Sequence, residues 1–443
     1  SAAIVLLTLL GMPAVFAVDR SVPPRSLLGL SFLTGAGLAT LILLLLSLIG
    51  VAWSRGNFAG IALAVVAFFL WLAIRRGRGL PGLRLAHSKR ASVATVAMDA
   101  CTLLAVVGHG IYATLAPLGQ WDFWTDWGLK AKVFWFHRGV DWAFLSSPAN
   151  FYAHRDYPPL LPLTMDFFSL VRGGWEDRWI GLLFTAFAAA LLLVARDLMS
   201  EEIESQLLAS FAALALAGPA LVLWIGLAEG PLIAYGSLAV LMLRRALGRG
   251  GPSWTWGALL LGGAALTKNE GVALIGSAAL ALLAAERWRL PSLLRLAPAA
   301  ALAAVWLLPR SIHALTSELL EAGAGSRLLA RISEPGPFLA ALGSIRWHRP
   351  LLWAAAAAAF LLIPGSVRRE RFFLINITLQ ILILFLIYAT SPHPLPWHVH
   401  NSSERFSAQQ TFALSYVAAA LLLTSLRLSA GPRALAAGSE VKG

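Results

Sequence analysis

The sequence predicts an all-α protein that crosses a membrane many times. Of its 443 residues, 58% are hydrophobic and only 13% are charged, and the mean hydropathy is +0.73. Long apolar segments recur from one end of the chain to the other, and Lys and Arg collect in short segments between them. A soluble protein of this length needs far more charged surface. The bilayer is therefore the expected solvent for most of the chain.

Apolar segments of roughly 17 to 25 residues can cross a hydrocarbon core of about 30 Å as helices. The sequence contains about thirteen such segments, of which the two beside Lys268 are short. Residues 2–18 also resemble the apolar part of a signal peptide, but we expect them to form the first membrane helix. The segments are 2–18, 28–52, 57–74, 92–117, 178–196, 206–226, 230–246, 254–268, 271–285, 294–309, 350–364, 372–390 and 411–427.

The basic residues predict the orientation of these helices. Residues 75–90 carry six Lys or Arg and no acid, and three further groups lie near Arg244, Arg289 and Arg369. With thirteen helices, all four groups fall on one side, which should be the cytoplasmic side. The net charge of +13 is explained in this way, so nucleic acid is not an expected partner. The single cysteine, Cys101, excludes an intramolecular disulfide.

The same topology predicts three polar outer loops, at 118–177, 310–349 and 391–410. The expected organisation is a three-helix membrane segment at 1–91, a second membrane module at 92–427 that carries these loops, and a cytoplasmic tail at 428–443. The first loop is rich in Trp, Phe and Tyr. Aromatic residues are common at the boundary between membrane and water, so we expect interfacial helices there.

The segment "WDFWTDWGLKAKVFWFHR", residues 121–138, has the most unusual composition of the chain. A helix over 122–137 would place Phe123, Trp127, Lys130 and Phe134 on one stripe, facing the membrane. Asp122 would then cap the first turn. Asp126 would pair with Lys130 at the surface. An aromatic belt explains the tryptophans, including Trp121, but not the acids.

Further ionisable residues map to the outer side. They lie in "HRDYPPLLPL" (154–163), "GLAEGPLIAYG" (226–236), "ALTKNEG" (265–271) and "SPHPLPWHVHNSSERFSAQQ" (391–410). Charged groups at membrane depth are costly and usually face a cavity or one another. Lys268 is therefore expected to pair with Glu229 or Glu270, or to bind a phosphate. The three histidines near 398 do not have zinc-motif spacing, so a divalent metal is not expected.

The order of these motifs resembles that of membrane glycosyltransferases with the GT-C fold. An Asp beside aromatics, then "YPPLLP", an acid before "PL", and "LTK" follow one another between residues 115 and 410. The most similar branch is the bacterial one related to protein O-mannosyltransferases, to the lipid A aminoarabinose transferase and to lipopolysaccharide galacturonosyltransferases. The chain departs from the family where Phe123 follows Asp122, where Glu229 replaces an Asp, and where two residues precede the Gly of "TKNEG".

The resemblance implies a GT-C-like fold and a set of site residues. Asp122 would be the catalytic base, with Asp126 in reserve, and Lys268 and Arg405 would bind the donor phosphate. No metal site is implied. Placement in the same segments adds the substrate-binding candidates Trp121, Lys130, His154, Asp156, Tyr157, Glu229, Glu270 and His400.

The implied activity is transfer of a sugar from a polyprenyl-phosphate donor, with inversion at the sugar carbon. The acceptor would be a lipid, a glycan or a protein at the periplasmic face of the bacterial inner membrane. Three alternatives stay open: a ligase for lipid-linked glycans, a non-catalytic GT-C-like scaffold, and a transporter. A transporter typically has an internal repeat, which this sequence does not show.

Overall fold

The structure is a computed structural model that describes residues 1–78, 91–116, 118–317 and 323–429. Throughout these ranges the regular structure is helical and contains no strand, so the predicted all-α class is confirmed. Most of the basic segment 75–90 lies outside the described residues. The same holds for residues 430–443 of the predicted tail, because the last described helix ends at Ser429.

The described residues form nineteen α-helices. Short π-helical or 3₁₀ turns occur at Ile74–Arg78, Phe123–Trp127, Pro148–Ala153 and Leu290–Leu296. In chain order the α-helices are α1 (Ala2–Val18), α2 (Pro24–Leu48), α3 (Arg55–Ala73), α4 (Val93–Leu115), α5 (Gly128–His137), α6 (Trp142–Ser146), α7 (Leu160–Arg172), α8 (Asp177–Ile203), α9 (Gln206–Ala220), α10 (Glu229–Arg249), α11 (Ser253–Thr267), α12 (Asn269–Ala285), α13 (Ala297–Ile312), α14 (Ala324–Ser333), α15 (Pro335–Leu342), α16 (Pro350–Leu362), α17 (Ser366–Arg369), α18 (Arg371–Thr390) and α19 (Leu395–Ser429).

Seven of the described helices are long and apolar enough to cross a membrane, which makes the chain a multi-pass membrane protein. They are α2, α3, α4, α8, α13 with its preceding 3₁₀ turn, α18 and α19. Four shorter apolar helices are α1, α9, α12 and α16. Each of the thirteen predicted segments overlaps one of the described helices over most of its length, so their helical state is confirmed. A count of thirteen crossings stays a prediction.

Charged side chains gather at two opposite ends of the helices, as α10 illustrates. Its first residue, Glu229, pairs with Lys268, whereas Arg244 near its other end pairs with Glu202 and Glu370. At 1.5 Å per residue, Glu229 and Arg244 are about 22 Å apart along the helix. Arg371 also donates to the carbonyl of Ala285, at the end of α12. The three described basic groups therefore share one end, as predicted.

The N-terminal helices belong to the same core as the rest of the chain. Helix α2 packs against α7 and α8, and the Tyr235 hydroxyl of α10 donates to the Leu33 carbonyl at 2.6 Å. Helices α1 and α2 approach closely at Gly11 and Gly35. A Cβ atom at Gly35 would lie 1.8 Å from the Leu7 carbonyl oxygen, and one at Gly11 would lie 2.0 Å from that of Ser31. Only glycine allows the two backbones this approach.

Two of the predicted outer loops have more structure than expected. The segment 118–177 includes α7, whose residues Leu160 to Leu170 are all buried. The predicted loop 391–410 is mostly the start of α19, which begins at Leu395 and continues without interruption for 35 residues. Both segments are helical for the same reason. Their residues pack against distant parts of the chain, and the polar composition of the segments did not indicate these partners.

We expect Gly35→Ala to destabilise the protein by about 1–3 kcal/mol, because the new methyl group overlaps the backbone of α1. The matched control is Gly37→Ala in the same helix, where no atom of the described residues lies within 4 Å of the added Cβ. Because Ala favours helix over Gly, the control should be neutral or stabilising by up to about 1 kcal/mol. Thermal unfolding in detergent, followed by tryptophan fluorescence, measures both. Equal effects of the two changes would contradict the close contact.

Candidate functional site

Five side chains from distant parts of the sequence form one connected group at one end of the helices. Arg405 forms an ion pair with Asp122, and its Nη1 atom lies 3.7 Å from Glu229 Oε1. The same Glu229 oxygen accepts a hydrogen bond from Lys268 Nζ at 3.1 Å. Lys268 Nζ also lies 2.8 Å from Glu270 Oε1. Together these five residues form what we call the charged chain.

Local backbone geometry places three members of the charged chain. Glu229 is the first residue of α10. Lys268 is a single extended residue between α11 and α12, with φ −157° and ψ 157°. The chain therefore turns at Lys268, as the two short apolar segments predicted. Asp122 lies immediately before the π-helical turn Phe123–Trp127, and π turns of this kind often mark functional sites.

The charged chain has a buried end and an accessible end. The side chains of Lys268 and Glu229 are 9% and 1% exposed, whereas those of Arg405 and Asp122 are 23% and 31% exposed. Burial disfavours the ammonium group of Lys268, but the carboxylates of Glu229 and Glu270 outweigh it and raise the pKa of Lys268. Lys268 is therefore a permanent cation, and Asp122 is the carboxylate that a ligand can reach.

Tyr157 joins the charged chain to a stacked aromatic group. Its ring is stacked on Trp127 with centroids 5.4 Å apart, and on His154 with centroids 4.8 Å apart. Lys268 Nζ lies 5.9 Å from the centre of the Tyr157 ring, within reach of a cation–π interaction. Burial, followed by the charge of Lys130, lowers the pKa of His154 to about 4. The imidazole is thus neutral at physiological pH and can donate or accept a hydrogen bond.

Asp126 and Lys130 form the predicted pair, but inside the protein and not at its surface. Lys130 Nζ lies 2.5 Å from Asp126 Oδ1, and the two side chains are 2% and 1% exposed. Lys130 Nζ also donates to the His154 carbonyl at 3.2 Å. Burial raises the pKa of Asp126 to about 7, although Lys130 opposes the shift. Asp126 is therefore a structural partner of Lys130 and is poorly placed to reach a substrate.

Asp156 anchors the Pro-Pro segment to neighbouring helices through residues that sequence reasoning did not assign. Asn269 Nδ2 donates to Asp156 Oδ2 at 2.6 Å, and Arg310 Nη2 lies 3.6 Å from the same oxygen. Trp306 Nε1 donates to the Asp156 carbonyl at 3.0 Å. The position of Asn269 directly after Lys268 was a signal for its role. Nothing in the local sequence around Arg310 and Trp306 indicated a partner.

Ten of the twelve predicted site residues lie in this connected region, and two do not. Trp121 is 73% exposed, and His400 is exposed on α19, on a different face from Arg405. The other ten are Asp122, Asp126, Lys130, His154, Asp156, Tyr157, Glu229, Lys268, Glu270 and Arg405. Within the described ranges, no group of three or more His, Cys, Asp or Glu residues is arranged to hold a metal ion.

The expected orientation of the helix after Trp121 was wrong in one respect. Phe123, Trp127, Lys130 and Phe134 do share one face, but that face is buried in the protein. The exposed aromatics are Trp124 and Phe136, together with Trp121. The Asp122 carboxylate also pairs with Arg405 instead of capping the first turn. This face can be buried in the protein although it carries Lys130, because the buried carboxyl group of Asp126 is its ion-pair partner.

The raised pKa of Asp126 has a spectroscopic consequence. We expect its carboxyl group to take up a proton with a midpoint near pH 7, far above the ordinary range for Asp. Infrared difference spectra recorded across a pH series should show a carboxylic acid C=O band that is lost in Asp126→Asn. A band that is unchanged in the variant, or a midpoint near 4, would contradict this environment. Asp141→Asn, in the same segment 118–177, is the control.

Comparison with known proteins provides no family for the chain. No family model matches it, and neither a curated protein nor a solved structure gives a significant match. The function proposed below therefore rests on the geometry of the site together with the order of motifs in the sequence.

Proposed function

We propose that the chain is a GT-C-like membrane glycosyltransferase of the bacterial inner membrane. It would transfer a sugar from a polyprenyl-phosphate donor to a lipid, glycan or protein acceptor at the periplasmic face. One observation carries the proposal: an accessible carboxylate, Asp122, is connected through Arg405 and Glu229 to the buried cation Lys268. A base and two cations in one site are what sugar transfer from a lipid phosphate requires.

The donor phosphate would bind to Arg405 and Lys268. The planar guanidinium of Arg405 suits two oxygens of a phosphate, and Lys268 contributes a point charge. Lys268 lies at the break between α11 and α12, and Arg405 lies in the first third of α19, so the lipid tail would stay in the bilayer while the head group reaches the site. As the bond between the sugar and the phosphate breaks, the two cations stabilise the charge that grows on the phosphate. Glu229 and Glu270 hold the ammonium of Lys268 in place.

Donor binding would also release the base. In the structure, Arg405 pairs with Asp122. A phosphate that takes over Arg405 frees the Asp122 carboxylate to accept a proton. The acceptor oxygen then attacks the anomeric carbon on the side opposite the phosphate, and its proton moves to Asp122. The bond from that carbon to the phosphate oxygen breaks, its electron pair leaves with the polyprenyl phosphate, and the anomeric centre is inverted.

Accessibility distinguishes the two candidate bases. The Asp122 side chain is 31% exposed, whereas that of Asp126 is 1% exposed and paired with Lys130. A general base must come within hydrogen-bond reach of the proton it removes. Asp122 meets this condition, and Asp126 is better explained as the partner that neutralises Lys130. His154 and Tyr157 are only partly buried, and their stacked rings suit contact with a sugar.

We expect Asp122→Asn to reduce sugar transfer by about 10²- to 10⁴-fold, because the amide cannot accept the acceptor's proton. Purified protein in lipid would be given a panel of polyprenyl-phosphate sugars and a membrane lipid extract, with products measured by mass spectrometry. Donor binding should survive the change. Asp177→Asn, in the same outer region and 46% exposed at its side chain, is the control and should retain activity.

The same assay separates the alternatives. Equal transfer by wild type and Asp122→Asn would remove Asp122 from the mechanism. Transfer only from a preassembled lipid-linked glycan, supplied in a parallel reaction, would support the ligase. No transfer from any donor by the wild-type protein would contradict the proposed activity and leave the scaffold or the transporter.

We expect Arg405→Gln to weaken donor binding by about 10- to 100-fold, since a charge-assisted hydrogen bond contributes about 1.5–3 kcal/mol. Binding of a fluorescent polyprenyl-phosphate sugar to protein in nanodiscs measures the effect. Arg427→Gln is the matched control, because Arg427 lies in the same helix and pairs with Glu204 at 2.9 Å, far from the site. An equal loss in both variants would indicate a general effect of charge and would contradict phosphate binding by Arg405.

A further inference from the structure

A cavity lies at the opposite end of the helices from the charged chain. Its volume is about 410 Å³, and it is formed by α8, α10, the α17–α18 connection and α19. Four arginines line it: Arg244, Arg245, Arg249 and Arg369. This volume falls within the range of about 300–1,000 Å³ that is usual for small-ligand sites. The proposed sugar transfer uses none of these residues.

Arg244 forms the inner wall of this arginine cavity, and its guanidinium group is fully paired with carboxylates. Arg244 donates to Glu202 Oε1 and Oε2 at 2.6 and 2.9 Å. It also donates to Glu370 Oε2 and Oε1 at 2.6 and 2.8 Å. The Tyr416 hydroxyl adds a long hydrogen bond to Glu202 at 3.4 Å. Because all of its strong contacts are internal, Arg244 supports the cavity and is not free to bind a ligand directly.

Arg249 and Arg369 lie at the mouth of the cavity, and they are more exposed and less closely paired than Arg244. The side chains of Arg249 and Arg369 are 52% and 55% exposed. Arg249 Nη1 is 3.6 Å from Glu201, a carboxylate that Arg245 already binds at 2.5 Å. Arg369 Nε is 3.5 Å from Glu370, which is occupied by Arg244. Each mouth arginine thus shares a carboxylate with a closer partner, and Arg249 Nη2 also donates to the Glu201 carbonyl at 3.1 Å.

The arginine cavity has a net positive charge. Its four arginines are opposed by three carboxylates, those of Glu201, Glu202 and Glu370. The surplus lies at the exposed mouth: the inner wall, one arginine with two glutamates, has a net charge of −1, so the three other arginines with Glu201 have a net charge of +2. An anion that entered would therefore meet two weakly paired guanidinium groups, which bind phosphate oxygens better than an ammonium group does.

The apolar part of the lining decides which kind of anion fits. Leu198, Leu241, Phe372 and Phe373 belong to the cavity wall, and they come from α8, α10 and α18. Two of these helices, α8 and α18, are long enough to cross the membrane. A cationic mouth at the end of membrane helices, above an apolar wall, matches a phospholipid with its phosphate at the surface and its chains in the bilayer. A free phosphate ion would gain nothing from that wall.

We propose that the arginine cavity binds the phosphate of one anionic phospholipid, with Arg249 and Arg369 as its direct contacts. The lipid would connect α10 to the α17–α18 connection across the paired inner wall. The site does not depend on the proposed transferase activity, and its ligand is a component of the bilayer itself.

The test uses the full chain in detergent with native mass spectrometry and thermal unfolding. Wild type and Arg249→Gln/Arg369→Gln are titrated with phosphatidylglycerol, with phosphatidylcholine, and with inorganic phosphate. The control is Arg287→Gln/Arg289→Gln, which removes the same charge from exposed residues that follow α12. Wild type and control should retain one phosphatidylglycerol and unfold at a higher temperature with it. Loss of two cations should weaken that binding by about 25-fold, which corresponds to about 2 kcal/mol.

Each contrary result is distinct. Equal lipid retention by the mouth variant and the control would show general attraction to the basic surface and would overturn the site. Equal stabilisation by phosphatidylcholine would show that no anion is recognised. Stabilisation of wild type by inorganic phosphate as strong as that by phosphatidylglycerol would replace the lipid with a soluble phosphate. If the double variant Arg249→Gln/Arg369→Gln shows no thermal transition without lipid, Arg249→Gln and Arg369→Gln are tested separately.

Discussion

The pairing of Lys268 with Glu229 is the constraint on which the rest of the site depends. An ionised group held away from water costs several kcal/mol unless a partner neutralises it. Lys268 therefore requires that the start of α10 and the break between α11 and α12 meet at one point. Arg405 adds α19 to the same point through Glu229. The burial of one lysine thus fixes the positions of α10, α11, α12 and α19 relative to one another along their axes.

The two charged regions of the molecule are related through the helices that connect them. Helix α10 runs from Glu229 in the charged chain to Arg244 in the arginine cavity, and α19 passes from Arg405 to Tyr416. Between these ends the helices present mostly apolar side chains to one another. The charged chain and the arginine cavity therefore lie at the two ends of α10, and the apolar contacts between them support both.

Two aspartates four residues apart illustrate how environment assigns a role. Asp122 and Asp126 belong to the same aromatic segment, and both were candidates for the catalytic base. Burial beside Lys130 leaves Asp126 with a raised pKa and no access for a substrate. Asp122 keeps an accessible carboxylate whose partner, Arg405, is also the cation best placed to meet a phosphate. The different roles proposed for the two carboxylates follow from their positions.

Local patterns in the sequence determined the helical class, the thirteen helical segments, the break at Lys268 and the Asp126–Lys130 pair. All of these depend on hydropathy and helical spacing within a few residues. The tertiary structure alone decided that Asp122 pairs with Arg405, that Asn269 and Arg310 contact Asp156, and that the aromatic stripe faces inward. It also left Trp121 and His400 outside the site. A short segment shows which of its faces are apolar or charged, but the partner that covers each face comes from residues far away in the chain.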